Sequence, residues 1–212
     1  MTEQPINDAA QATPAKTTSL TRDLITVGVF TALYFVVMAV VGQLGALIPI
    51  TQALGPFYIP LICGIPFMLF LTRVHRFGLI TAMGWIIGLL FIATGMSVIA
   101  TILALVLAPA ADLIAKLGGY KKWLTLVGAY VVFSLMDIGM VAPLFFQRQA
   151  MLDKMSARHD SAWIAQIAQL TPPWMFPVML VMIVVGATIG AYIGRGIFRK
   201  HYAYLAATTP AS

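Results

Sequence analysis

The chain has 212 residues, 60% of them hydrophobic and only 9% charged, with a formal net charge of +6. A soluble domain carries about 25% charged residues, so this composition excludes an ordinary soluble fold and describes a membrane protein. The positive balance does not point to nucleic acid, because Lys and Arg fall in short clusters between apolar runs and not along one face.

The first twenty residues, MTEQPINDAAQATPAKTTSL, are polar and lack the apolar core of a signal peptide, so residues 1–20 are expected to form a disordered tail. The membrane domain is expected over 21–200, with a short tail over 201–212. A hydrocarbon core of about 30 Å needs about 20 apolar residues of helix at about 1.5 Å each. The first such run, about 24–50, is broken only by Gln43 and Pro49 and follows TTSLTRD, whose Ser, Thr and Asp suit a helix start. The second, about 54–72, carries Pro56, Pro60 and Pro66, which predicts a kinked or irregular outer part.

The apolar segment 77–117 is too long for one crossing. The Thr94-Gly95 pair divides it into spans at about 77–93 and 96–117. Spans five and six follow at about 123–146 and 173–197. The polar QRQAMLDKMSARHDSAWIAQIAQLT between them is expected to hold an amphipathic interfacial helix around Trp163 to Leu170. Placing the N-terminus inside puts ten Lys and Arg residues on the cytoplasmic side and leaves only Arg148, Lys154 and Arg158 outside. The expected fold is therefore an all-α integral membrane protein, a six-transmembrane-helix bundle with cytoplasmic N- and C-termini.

Asp137, in SLMDIGMVAP, is the only charged residue between Lys122 and Arg148. A carboxylate near the centre of a span costs about 2.5–3.5 kcal/mol on insertion scales. It must face the bundle interior, either to bind a ligand or ion or to tie span five to a neighbouring hydrogen-bonding group. Asp112, four residues before Lys116, has the spacing of a helical ion pair and a structural role. Gln43, Tyr58, Gln147, Arg148, Gln149, Trp163 and Trp174 lie toward the external side with Asp137 and could roof a pocket above it. Such a pocket suits a small amphipathic molecule with an amine or ring nitrogen.

Small residues carry a second signal. GATIGAYIG sets Gly186, Gly190 and Gly194 at four-residue intervals, a flat helix face for close packing in lipid, and GVFTALYF sets Gly28 and Ala32 likewise in span one. Span six is expected to use its stripe within the bundle; for span one an external partner competes with internal packing. No HExxH, GxSxG, P-loop or paired carboxylates occur, and His75, His159 and Cys63 are isolated, so neither a catalytic constellation nor a metal site is expected.

The segment LTRDLITVGVFTALYFVVMAVVG, the Pro-rich GPFYIP before span two, the six short spans and the basic C-terminus resemble the S components of energy-coupling factor (ECF) transporters, more narrowly the MptD or Trep_Strep group. The resemblance covers about residues 20–200. It implies a multi-pass protein of the bacterial plasma membrane that captures a vitamin-like micronutrient from outside and is not itself an enzyme. A scaffold membrane protein (T component) and two ABC ATPases would be its partners, with ATP used by those ATPases and no cofactor in this chain. It also implies scaffold contact through an alanine-x-x-x-alanine pattern on the first helix, matched here by Gly28 and Ala32 with glycine for the first alanine, and a lid over about 49–60. The competing readings are a self-sufficient proton- or ion-coupled secondary transporter or channel, and a membrane enzyme or assembly subunit.

Overall fold

A computed structural model describes residues 15–208, with side chains described over 21–197. All regular elements among the described residues are helical: α1 (Ala15–Gly45), α2 (Pro49–Arg73), α3 (Leu79–Ala93), α4 (Val98–Leu117), α5 (Trp123–Ser134), a 3-10 turn (Leu135–Asp137), α6 (Ile138–Phe146), α7 (Arg148–Ser156), α8 (Ser161–Leu170) and α9 (Met175–Thr208). Five segments are long and apolar enough to cross a membrane, namely Thr21–Gly45, Pro49–Arg73, Val98–Leu117, Trp123–Phe146 and Met175–Ile197. The expected third span is the 15-residue α3, shorter than a full crossing.

Boundaries shift where local chemistry decides them. α1 begins at Ala15, within the expected tail, and α9 continues to Thr208, past 200; the rest of the two expected tails, 1–14 and 209–212, lies outside the described residues. The first span ends at Gly45 and not near 50, because Pro49, which needs no N–H partner at a first helical turn, starts α2. The segment PITQALGPFYIP is thus the opening turns of a helix and not the loop expected over 49–60.

Proline leaves carbonyls without their helical donors, and neighbouring side chains replace them. Pro109 cannot donate to Leu105, whose carbonyl instead accepts from the Trp85 indole at 3.3 Å. Pro143 likewise leaves Gly139 O free, and Ser97 Oγ donates to it at 2.6 Å while also capping α4 through Ala100 N–H. This bond ties α6 to α4 next to Asp137.

Contacts at the helix ends give the path of the chain. At one end Arg76 pairs with Asp23 at 3.0 Å, Lys116 lies over the Phe77 ring, and Arg195 lies over Trp123. At the other end Lys154 Nζ donates to Gly95 O at 3.0 Å. α3 therefore runs from one end of the bundle to the other, and the start of α1 and the Arg195 part of α9 lie at the same end.

α2 and α9 share the closest contact. A Cβ on Gly186 would strike Phe57 O, one on Gly190 would strike Leu61 O and Pro60 O, and one on Gly194 would meet Gly64 O and Met68. The glycine stripe of α9 thus lies directly on the α2 backbone. Leu24, Ile25, Val29, Val36 and Val40 of α1 stay exposed, as a lipid-facing surface does.

Asp112 is fully buried and makes no ion pair with Lys116. It caps α3 from across the bundle, accepting from Gly78 N–H at 2.8 Å, Thr81 N–H at 3.1 Å, Thr81 Oγ1 at 3.0 Å and Tyr120 Oη at 2.7 Å. The first N–H groups of a helix lack internal partners, and Gly78, with φ +99°, offers no side-chain cap of its own. Burial, then the bond to Asp112, raises the Tyr120 pKa, which keeps the phenol a donor. Asp112→Asn turns one acceptor into a donor facing this set and is expected to cost about 1–3 kcal/mol; an unchanged melting temperature in thermal unfolding would contradict the capping role.

Candidate functional site

Above the centre of the bundle, at the end carrying Lys154 and Gly95, a cavity of about 660 Å³ opens. Its walls come from the last turns of α1, the first turns of α2, the α3–α4 turn, α6 and the α7–α8 segment. An aromatic layer lies beside the cavity without lining it. Tyr34, Phe67, Tyr130 and Phe133 are all fully buried, with ring centroids 4.7 Å apart for Phe67–Tyr130, 4.8 Å for Phe67–Phe133 and 5.8 Å for Tyr34–Phe133. Tyr130 Oη donates to Pro60 O, which fixes this layer to α2.

Asp137 stands one helical turn beyond Phe133 and lines the cavity. Its residue is 8% exposed, and Oδ2 is buried without a hydrogen-bond partner among the described residues. Tyr34, Cys63 and Tyr130 are within electrostatic range of the carboxylate, yet none hydrogen-bonds to it. An uncompensated buried polar oxygen costs about 1–3 kcal/mol on mutational data. The 3-10 turn that ends at Asp137 and the close approach of Gly139 to Ala100 place it here.

Four of the eight expected pocket residues meet in this cavity: Asp137, Gln43, Tyr58 and Trp163. The Tyr58 hydroxyl is packed against Gly45 and buried without a partner. Gln147, Arg148, Gln149 and Trp174 lie outside its lining. Arg148 is committed elsewhere, its guanidinium donating to Thr171 O at 2.7 Å and Ala168 O at 2.6 Å, which closes the C-terminus of α8. Gln147 is an exposed junction residue between α6 and α7, and Trp174 is 67% exposed before α9.

Besides Trp163, the α7–α8 segment supplies groups the sequence pattern did not assign to a pocket. Met151, Lys154, Met155, Arg158 and His159 all line the cavity. His159 stacks on Trp163 with centroids 3.9 Å apart and planes 12° from parallel, and Asp160 Oδ1 caps α8 at Trp163 N–H. The His-Asp-x-x-Trp spacing around a helix start was the available signal. Trp163 also joins Ala53, Leu144 and Ile167 in a small apolar cluster that seats α8 on α2 and α6. No group of three or more His, Cys, Asp or Glu able to hold a metal occurs among the described residues.

Gly28 and Ala32 are exposed on the outer face of α1, and a Cβ added at Gly28 would touch nothing within 4 Å. They are not consumed by packing within the chain, unlike the stripe on α9. Comparison with curated proteins and with solved structures finds no match. A family described as a hypothetical bacterial integral membrane protein, Trep_Strep, matches residues 21–203. The chain, a bacterial integral membrane protein with several apolar helices, belongs to the Trep_Strep family.

Proposed function

We propose that this protein is the substrate-capturing S component of an ECF-type importer in the bacterial plasma membrane, binding a small micronutrient from outside. The observation that carries this reading is a cavity at one end of the bundle with an unpaired carboxylate in its lining. The sequence has no P-loop, so energy for delivering the cargo would come from partners. The chain itself catalyses nothing on this reading, and ATP is used by two partner ATPases.

The reading takes α3 as a sixth crossing with both termini cytoplasmic. Its 15 residues reach about 22 Å at about 1.5 Å each, and a short helix is accommodated by local bilayer thinning or flanking residues. In a Cys63→Ala background, His75→Cys, before α3, is expected to react with impermeant reagent only from the cytoplasmic side and Thr94→Cys, after it, only from outside. Reaction of both from one side would contradict a crossing by α3.

Affinity isolation from native membranes, followed by mass spectrometry, tests the assignment. A scaffold membrane protein and two ABC-type ATPases are expected with it; isolation alone would overturn it. Gly28→Leu fills open space on α1, so it is expected to leave thermal stability unchanged while reducing co-isolated scaffold at least about tenfold, about 1.4 kcal/mol. The buried Asp137 carboxylate favours one other reading, a proton-coupled transporter. Uptake by the isolated chain in liposomes under a proton gradient would support that alternative.

A further inference from the structure

The cavity is charged in opposite senses at its two depths. Asp137 is the only acid among its lining residues and lies deep, whereas Lys154 and Arg158 line it from α7 and the following turn and are exposed. Neither cation forms an ion pair among the described residues. Lys154 spends one of its three N–H donors on Gly95 O. The nearby acids are turned to other tasks: Asp153 accepts from Gln149 at 3.0 Å, Asp160 caps α8, and neither lines the cavity.

The wall also carries thioethers and rings. Met38, Met140, Met151 and Met155 face the space together with Phe35 and Trp163. Methionine sulfur is polarisable and contacts aromatic ring edges favourably, by about 0.3–1.5 kcal/mol each. Such a wall suits a flat apolar body.

We propose that the cavity takes a small aromatic zwitterion whose charges lie at opposite ends of the ring system, with its protonated nitrogen toward Asp137 and its acid group toward Lys154 and Arg158. The proposal rests on the reading of this cavity as a ligand site and not on the ATPase partnership. Simpler ligands leave a charge unmatched. A neutral molecule can donate a hydrogen bond to Asp137 but answers neither its charge nor those of the mouth cations, an anion places its charge against that carboxylate or abandons the base, and a simple amine leaves both mouth cations unanswered.

Matched probes test it on the full chain in lipid nanodiscs, read by thermal shift and titration. The zwitterions are 4-(aminomethyl)benzoate and its longer biphenyl homologue; the controls are benzylamine, 4-methylbenzoate, 4-methylbenzyl alcohol and phenylglycine, which carries both charges at one end. At least one of the two zwitterions is expected to bind about tenfold or more tightly than every control. Asp137→Asn is expected to abolish its advantage over 4-methylbenzoate, and Lys154→Gln with Arg158→Gln its advantage over benzylamine. Equal binding of all probes, tightest binding of a singly charged or neutral one, or no binding of either zwitterion at millimolar concentration would overturn the proposal. Zwitterion binding by a chain that isolates without ATPases would leave this ligand class standing and remove the importer assignment.

Discussion

Gly190→Leu is expected to remove most of the folded protein. α9 meets α2 backbone to backbone at this point: a Cβ at Gly190 would lie 2.8 Å from Pro60 O and 2.9 Å from Leu61 Cα, and one at Gly64 would lie 2.8 Å from Gly190 Cα. Neither side has a flexible side chain to move aside. Overpacking in a core costs about 1–3 kcal/mol when neighbours can adjust, and more is expected where only backbone can yield. In lipid the loss is also a loss of driving force, because close van der Waals approach does much of what burial from water does elsewhere. The displaced segment contains Pro60, whose carbonyl accepts from Tyr130, so the aromatic layer beside the cavity would shift too. Detergent-extracted Gly190→Leu should elute as aggregate in size-exclusion chromatography while Gly28→Leu stays monodisperse; a monodisperse Gly190→Leu with wild-type thermal stability would show that the α2–α9 contact does not hold the bundle together.

The contrast between these two glycines shows what sequence could reveal. Both sit in small-residue patterns at four-residue spacing, and both patterns mark a face able to approach another helix. Only the three-dimensional arrangement separates them, one pressed on α2 and the other open. The apolar runs were legible because membrane thickness imposes a length on every crossing, and Asp137 because an isolated charge in such a run is costly. Asp112 was legible as structural but not as a cap, since its donors Gly78 and Thr81 are 34 and 31 positions away. Arg148 could be placed on the external side from its flanks, yet its use in closing α8 depends on where the carbonyls of Ala168 and Thr171 point. Apart from Trp163, the contribution of α7 and the turn before α8 to the cavity was hidden for the same reason: their polarity marks them as outside the membrane, not as folded back over the bundle.

Asp137→Asn is expected to change stability and binding in opposite directions. In the unliganded protein Oδ2 is buried with no hydrogen-bond partner, so the native carboxylate is held at an energetic cost that packing elsewhere must offset. An amide of the same shape removes the charge but stays a polar group without a partner, so the empty protein is expected to gain only the part of the cost that comes from the charge itself. A carboxylate serving as an internal tie would behave the other way, because its replacement would break a bond already made. For a cationic group at the cavity base, losing the partner charge of a buried pair costs about 2–5 kcal/mol, which is about thirtyfold to several thousandfold in affinity. Thermal unfolding in nanodiscs without ligand and titration with the aminomethyl probes measure the two effects on the same preparation. A stabilised protein that no longer binds would establish Asp137 as a group retained for recognition at the expense of stability; a destabilised one with unchanged binding would make it a structural tie.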